Sequence, residues 1–152
     1  MDSRQLLGLL AHVHGFEGVY SRNTLPTQVT YPCALICNTD RASGPGQHWV
    51  AMYLNSEHDG EYFDSYGLKP LHKSMQNFMN RMCTGWIYNK QRLQGSDSRV
   101  CGHYCTVYLW CKAHGHSMAG LVKLFGADLR QNDAMVKNYV QDVMMKGSLA
   151  SC

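Results

Sequence analysis

The chain has 152 residues, of which 45% are hydrophobic and 16% charged, a composition that excludes a disordered protein and favours a single domain over residues 1–152. The formal net charge of +3 is too small to indicate a dedicated nucleic-acid-binding module. No segment predicts a transmembrane helix or a signal peptide, so we expect no membrane partner. The seven cysteines form an odd number without a secretion signal, which indicates mostly free thiols in an intracellular, reducing compartment.

Most predicted strands lie in the first part of the chain, and most predicted helices lie in the last part. Ser3 is placed to cap a first helix. The apolar run 33–38 is typical of a buried strand, and the alternation over 48–55 predicts a strand with two different faces. The predicted strands are residues 33–38, 48–55, 61–66 and 86–93. The predicted helices are residues 3–14, 71–82, 101–114, 117–125 and 133–145, the last capped by Asp133. This order of elements predicts an α+β fold.

Cys101 is the candidate nucleophile. A thiol reacts as its thiolate, so its pKa must fall below the ordinary value of about 8.5. The start of a helix favours a negative charge there, and a neighbouring imidazole accepts the thiol proton. Cys101 follows a polar loop and begins a helical pattern. Gly102 removes a side chain where we expect the substrate backbone to approach.

Three further residues complete the candidate site. His48 begins a predicted strand behind a Gly- and Pro-containing loop, so its ring can reach a cleft at the sheet edge and act as the base. Asp64 lies on the next predicted strand, where a carboxylate can orient that imidazole. Gln94 precedes Cys101 and carries an amide that could donate to an oxyanion. Each residue alone has an ordinary structural interpretation, so the set carries the prediction.

Three segments, GQHWVAMYLN, EYFDSYG and LQGSDSRVCGHYC, resemble the adenovirus-type cysteine proteases (adenain). The order of His48, Asp64, Gln94 and Cys101 is also that of the ubiquitin-like-protein proteases. The resemblance implies a permuted papain-like fold: a mixed sheet packed against helices, with the helix that starts at Cys101 at its centre. It also implies that Trp49 shields the imidazole. Adenoviral members commonly have Glu at the position of Asp64, so the resemblance implies a divergent relative.

The resemblance also implies roles for two other cysteines. Adenoviral proteases form a disulfide with a short activating peptide through a cysteine in the region of Cys83. Cys83 is therefore a hypothetical attachment site for such a peptide, and the alternative is an ordinary buried thiol at a helix end. Cys152 could supply the same disulfide within the chain. The family uses viral DNA as a cofactor, which makes DNA a predicted partner.

The cysteines and histidines that crowd residues 101–116 do not predict a metal site. His103 points away from the helix face that Cys101 and Cys105 share, whereas tetrahedral zinc needs four converging ligands. We therefore expect no metal and no small-molecule cofactor.

The predicted function is that of a viral-type cysteine endopeptidase, a monomer that cleaves structural precursor proteins during particle maturation. The resemblance places it in the virion and the host cell nucleus. One alternative is a cysteine protease that removes ubiquitin-like modifiers, since the same four side chains serve both reactions. A second alternative is a catalytically silent relative that binds DNA or capsid protein.

Overall fold

A five-stranded mixed sheet forms the centre of the computed structural model, which describes residues 1–145. The strands are β1 (Phe16–Ser21), β2 (Cys33–Asn38), β3 (Trp49–Ser56), β4 (Asp59–Phe63) and β5 (Trp86–Tyr88). They lie side by side in chain order. β2, β3 and β4 are antiparallel neighbours, and the outer strands β1 and β5 run parallel to β2 and β4 respectively.

Helices cover both faces of the sheet. The helices are α1 (Ser3–Leu10), α2 (Lys73–Met82), α3 (Cys101–Ala113), α4 (Met118–Val122) and α5 (Leu129–Tyr139), which continues into a π-helical segment (Val140–Met145). α2 packs on one face, and the other helices pack on the opposite face around α3. The predicted α+β class is thus confirmed, with a mixed sheet against helices. None of the helices within residues 1–145 has the length and apolar character needed to cross a bilayer.

Burial on both faces explains the continuous apolar sequence of β2. Ala34 and Ile36 face the core around α3, whereas Leu35 faces the core around α2. All six residues of this strand are buried. A central strand between two helical layers has no solvent-facing side, so apolar residues are favoured at every position.

β3 shows the alternation that its sequence predicts. Val50 and Met52 pack in the core on the α2 side, whereas Ala51 packs against α3. The strand begins at Trp49, paired with Asn38 of β2, so His48 lies just before its first residue. That position lets the imidazole leave the sheet and reach the edge where α3 begins.

β1 was not predicted, because it lacks a clear alternating pattern. It is an edge strand, and of its residues only Gly18 is buried. Gly18 adopts φ 150°, and the pairing register with β2 shifts between Phe16 and Gly18. A bulged edge strand leaves a weak periodic signal in the sequence.

Two predicted strands end earlier than expected. β4 ends at Phe63, because the chain turns at Asp64, whose carbonyl accepts from the Gly67 N–H at 2.7 Å. Gly67 has φ +73°, a conformation that favours glycine. β5 ends at Tyr88, and the segment that follows bonds to residues beyond β4 instead of extending the sheet.

The caps of the first and last helices also differ from the predictions. Asp2, not Ser3, caps α1 and accepts from the Gln5 N–H at 2.8 Å. Asp128, not Asp133, caps α5. Asp133 lies inside that helix and accepts from the Tyr104 hydroxyl at 2.8 Å. Asp and Ser are both common cap residues, so residue type alone does not choose between Asp2 and Ser3 or between Asp128 and Asp133.

Candidate active site

Three structural elements bring His48, Asp64 and Cys101 to one edge of the sheet. His48 precedes β3, Asp64 follows β4, and Cys101 is the first residue of α3. β3 and β4 are antiparallel neighbours, so the start of one strand lies beside the end of the other. α3 packs across β3 and delivers the thiol to the same edge.

His48 and Asp64 form a direct contact. The His48 Nε2 lies 2.8 Å from the Asp64 Oδ1, and the two side chains are only 14% and 7% exposed. Because Nε2 faces the carboxylate, Nδ1 is the ring nitrogen left for Cys101. This arrangement fixes the imidazole orientation, as an orienting carboxylate does in a catalytic triad.

Neighbouring backbone and side-chain groups hold Asp64 in place. The Asn89 side chain accepts from the Asp64 N–H at 2.9 Å and donates to the Asp64 carbonyl at 2.6 Å. The Tyr66 N–H donates to the Asp64 Oδ1 at 2.8 Å. Asn89 is 4% exposed, so water has little access to these bonds. The carboxylate is therefore oriented before any ligand binds.

Cys101 and His48 shift each other toward a thiolate and an imidazolium. Burial raises the pKa of the Cys101 thiol, but hydrogen bonds from His48 and from the Trp49 N–H, together with the charge of His48, lower it below its ordinary value. The Trp49 nitrogen lies 3.5 Å from the Cys101 Sγ. Burial lowers the pKa of His48, but bonds to Asp64 and Cys101 and their charges raise it to about 9. Both shifts favour the thiolate–imidazolium pair over the neutral thiol and imidazole.

The other thiols of the described residues shift in the opposite direction. Burial raises the pKa of each of them, and the raised thiols are Cys33, Cys37, Cys83, Cys105 and Cys111. For Cys33 and Cys37 the pKa reaches about 12. Only Cys101 has a lowered pKa among the cysteines of residues 1–145. The arrangement around Cys101 is therefore specific to that thiol.

Gln94 lies beside Cys101 but is engaged within the protein. Its side chain is almost fully buried, and its Oε1 accepts from the Ser65 hydroxyl at 2.5 Å. Its Nε2 donates to the Ser98 hydroxyl at 3.1 Å and to the Ser98 carbonyl at 3.2 Å. The amide nitrogen predicted to meet an oxyanion is thus bonded to the loop that precedes α3.

A cleft of about 410 Å³ joins these groups. Its wall includes His48, Gln94 and Cys101, and also Trp49, whose indole Nε1 donates to the Met1 carbonyl at 3.0 Å. A Cβ at Gly102 would lie 3.1 Å from the Met1 Cβ and 3.4 Å from the Trp49 ring. Close packing against Trp49 and Met1 thus gives a structural reason for glycine at position 102, and the predicted approach of a substrate backbone stays a prediction.

Cys83 is buried at the end of α2. The residue is 2% exposed, and its thiol donates to the Ser56 carbonyl at 3.4 Å. Burial, and then the nearby carboxylate of Asp59, raise the pKa of this thiol. Cys83 is unpaired in the structure, and Cys152 lies outside the described residues. The disulfides predicted for these two cysteines remain predictions.

Sequence reasoning did not identify Ser65, Tyr66 or Asn89 as parts of the site. Ser65 and Tyr66 directly follow Asp64 in the EYFDSYG segment, so their position was a usable signal. Asn89 was not detectable, because it lies in a predicted strand and its contact with Asp64 spans 25 residues. Within residues 1–145, no group of His, Cys, Asp or Glu side chains converges as a metal site would require.

Several solved structures are similar to the chain, among them a domain from Legionella pneumophila and the ASFV pS273R protease. The central domain of the uncharacterized Lpg1148 protein from Legionella pneumophila matches with 15% identity and a TM-score of 0.50, over 99% of this chain and 96% of that chain. The ASFV pS273R protease matches with 23% identity and a TM-score of 0.49, over 71% of this chain and 45% of that chain. This chain therefore spans less than half of the ASFV protein.

The likeness to the Legionella domain shows a shared fold and assigns no activity. No protein-family model matches the chain, and no curated protein matches it in sequence. The resemblance to adenovirus-type proteases therefore rests on the three sequence segments alone.

Proposed function

We propose that this chain is a cysteine endopeptidase with Cys101 as the nucleophile. The observation that carries the proposal is the lowered pKa of Cys101 beside a His48 that is itself oriented by Asp64. A buried cysteine in a purely structural role has no need of such partners, and the other described thiols have raised pKa values. Thiol acyl transfer requires a thiolate, and the contacts of Cys101 favour that form.

In the proposed reaction, the Cys101 thiolate attacks the peptide carbonyl, and a carbon–sulfur bond forms as the carbonyl electrons move to oxygen. The Cys101 N–H lies at the first turn of α3 and can donate to this oxyanion, as can the Gln94 amide once it leaves Ser98. The His48 imidazolium then gives its proton to the leaving amine as the carbon–nitrogen bond breaks. Neutral His48 then takes a proton from water, which attacks the thioester carbonyl. The carbon–sulfur bond breaks, the carboxylic acid product leaves, and the Cys101 thiolate and His48 imidazolium are restored.

Substitution of the nucleophile tests the proposal. We expect Cys101→Ala to abolish hydrolysis of a panel of Gly-containing peptides. The matched control is Cys111→Ala, which removes a thiol from the other end of the same helix. If Cys101→Ala retains the hydrolysis rate of the unmodified chain, the proposal is wrong.

The sequence resemblance also supports a substrate class: structural precursor proteins of a virus, cut near glycine-rich sites during particle maturation in the virion and host nucleus. The runner-up is removal of ubiquitin-like modifiers, which needs the same side chains. Comparing Gly-x-Gly peptides with ubiquitin-like fusion proteins as substrates separates the two. A silent DNA- or capsid-binding relative would instead show no faster iodoacetamide labelling at Cys101 than at Cys111.

Activation by a peptide or by DNA is part of the same proposal. A peptide disulfide at Cys83 requires this buried thiol to become accessible first. Non-reducing peptide mapping after incubation with a cysteine-containing peptide tests it, and free alkylation of both Cys83 and Cys152 would contradict it. Stimulation by duplex DNA should weaken with increasing salt, because phosphate binding releases counterions.

A further inference from the structure

A second cavity, of about 210 Å³, adjoins the active-site cleft at His48. Gln47, His48 and Tyr66 line both spaces, whereas Cys101 lines only the cleft. Most of the remaining wall comes from residues 64–72, the segment that joins β4 to α2. The cavity is therefore an extension of the cleft past the imidazole.

This cavity has a buried apolar floor and an exposed apolar rim. Tyr62 and Met75 form the floor, and both belong to the core on the α2 side of the sheet. Leu68 and Leu71 form the rim and are 47% and 69% exposed. A single exposed leucine is ordinary in a folded protein. Two exposed leucines around one cavity with an apolar floor make a surface that a further apolar side chain can cover.

The segment that carries the two leucines is held in place by the rest of the fold. Pro70 lies between them, is buried, and its carbonyl accepts from the Gln76 side chain of α2 at 2.7 Å. Gly67 packs so closely on the neighbouring chain that a Cβ there would lie 2.6 Å from the Gln91 carbonyl carbon. A rim that is already ordered loses little conformational entropy when a ligand binds.

The proposed reaction determines which part of a substrate meets this cavity. His48 gives its proton to the leaving amine, so that nitrogen lies within hydrogen-bond reach of the imidazole. The acyl part remains on Cys101 in the cleft. A separate cavity of about 500 Å³ adjoins the cleft at Met1 and Trp49 and does not include His48. The residues that follow the scissile bond thus begin at His48, where the cavity with the leucine rim also begins.

We propose that Leu68 and Leu71 are specificity-determining residues, which bind an apolar side chain of the substrate segment that follows the scissile bond. The proposal rests on the proposed peptidase function and adds a substrate preference to it. The bound side chain covers the exposed parts of both leucines, and the removal of this apolar area from water favours binding. A leucine-sized side chain is the expected occupant.

A leucine scan of a cleaved peptide tests the proposal. Leu is placed in turn at each of the first positions after the scissile bond, and the reference peptide has Ala at the same position. At one position we expect kcat/KM to be about 5- to 30-fold higher for the Leu peptide, because three further carbon atoms leave water. Leu71→Ser should reduce this Leu-to-Ala ratio by about 3- to 5-fold, and the double variant with Leu68→Ser should reduce it further. Both leucines are exposed, so these variants should fold.

Leu124→Ser is the matched control. Leu124 is 67% exposed, follows α4 and lies on the opposite side of the sheet from α2. Its replacement should leave the Leu-to-Ala ratio unchanged. The proposal is overturned if no position shows a preference for Leu, or if Leu71→Ser keeps the full ratio. An unchanged ratio together with altered sedimentation of Leu71→Ser would identify the surface as a contact between copies of the chain, which also overturns the proposal.

A binding measurement separates this proposal from the peptidase proposal. Peptides that mimic the leaving segment are titrated onto Cys101→Ala, and the Kd is compared for Leu and Ala at the selected position. A Leu preference in Kd that Leu71→Ser removes, without hydrolysis of any peptide by the unmodified chain, would contradict the peptidase proposal alone. Hydrolysis without a Leu preference in either kcat/KM or Kd would contradict the leucine proposal alone.

Discussion

The Gln94 amide nitrogen lies 3.1 Å from the Ser98 hydroxyl and 3.2 Å from the Ser98 carbonyl oxygen. Among residues 1–145, Ser98 supplies both acceptors of this nitrogen. An oxyanion must compete with them for the same donor. The loop before α3 therefore limits how readily Gln94 can support the proposed reaction.

Removing one of these acceptors should increase the rate. We expect Ser98→Ala to raise kcat for peptide hydrolysis by about 2- to 5-fold, which is the scale of one modest hydrogen bond. KM should stay unchanged if the oxyanion interaction forms only in the transition state. Ser96→Ala, in the same loop and exposed, is the control. A lower kcat in Ser98→Ala would instead identify Ser98 as a support for Gln94.

Gln94 should contribute strongly to the rate of the proposed reaction. We expect Gln94→Ala to lower kcat by about 10²- to 10³-fold, the cost of removing one oxyanion donor. Ser65→Ala should lower kcat by about 10-fold, because the amide loses the hydroxyl that orients its Oε1. Steady-state kinetics on one peptide substrate measures both. Equal activity of Gln94→Ala and the unmodified chain would exclude the oxyanion role.

The raised pKa of His48 and the lowered pKa of Cys101 predict different pH profiles for alkylation and hydrolysis. Alkylation needs only the thiolate, so it should begin below the ordinary cysteine range and persist at high pH. Hydrolysis also needs protonated His48 to release the amine, so it should decline as pH rises through about 9. Measuring the rates of both reactions from about pH 5 to about pH 10 tests this expectation, because that range includes the ordinary pKa values of histidine and cysteine.

His48→Ala provides the control for these profiles. Without the imidazolium, burial should raise the pKa of Cys101 as it does for Cys105. The alkylation profile should then move to higher pH. An unchanged profile in His48→Ala would show that Cys101 does not depend on the imidazole for its charge.

Asn89 should contribute strongly to stability as well as to the site. Asn89→Ala leaves the Asp64 N–H without the acceptor that lies 2.9 Å from it. It also removes one of two donors to the Asp64 carbonyl, which still accepts from the Gly67 N–H. We expect the free energy of unfolding to fall by about 1 to 3 kcal/mol, the cost of one unsatisfied buried group. Urea denaturation measures the change.

Asn55→Ala is the corresponding surface control. Asn55 is exposed and donates to Asp59 at 3.3 Å. Its replacement should change the free energy of unfolding by less than about 0.5 kcal/mol. Similar losses of unfolding free energy in both variants would show that the Asn89 hydrogen bonds to Asp64 contribute no more than an exposed hydrogen bond.

The sequence alone predicted the α+β class and two of the central strands. The apolar run of β2 and the alternation of β3 record burial on two faces, and burial leaves a periodic pattern in the sequence. The start of α3 at Cys101 was also predictable from helical spacing. β1 was missed because an edge strand with one buried residue records little of its environment.

The candidate site also has features that the sequence predicted and features that it did not. The order of His48, Asp64, Gln94 and Cys101 could be recognised in the sequence, because each residue type has a known role in thiol catalysis. The geometry between them was not visible. Contacts such as Asn89 with Asp64 join residues that are distant in the chain and leave no periodic trace.

The sequence by itself thus determined which side chains could carry thiol chemistry. Only the tertiary structure decided how those side chains are engaged: Gln94 donates to Ser98, Gly102 packs against Trp49, and the Tyr66 ring lies on His48. The physical reason is that residue type limits what a group can do, whereas its pKa and its hydrogen-bond partner depend on neighbours that packing brings together.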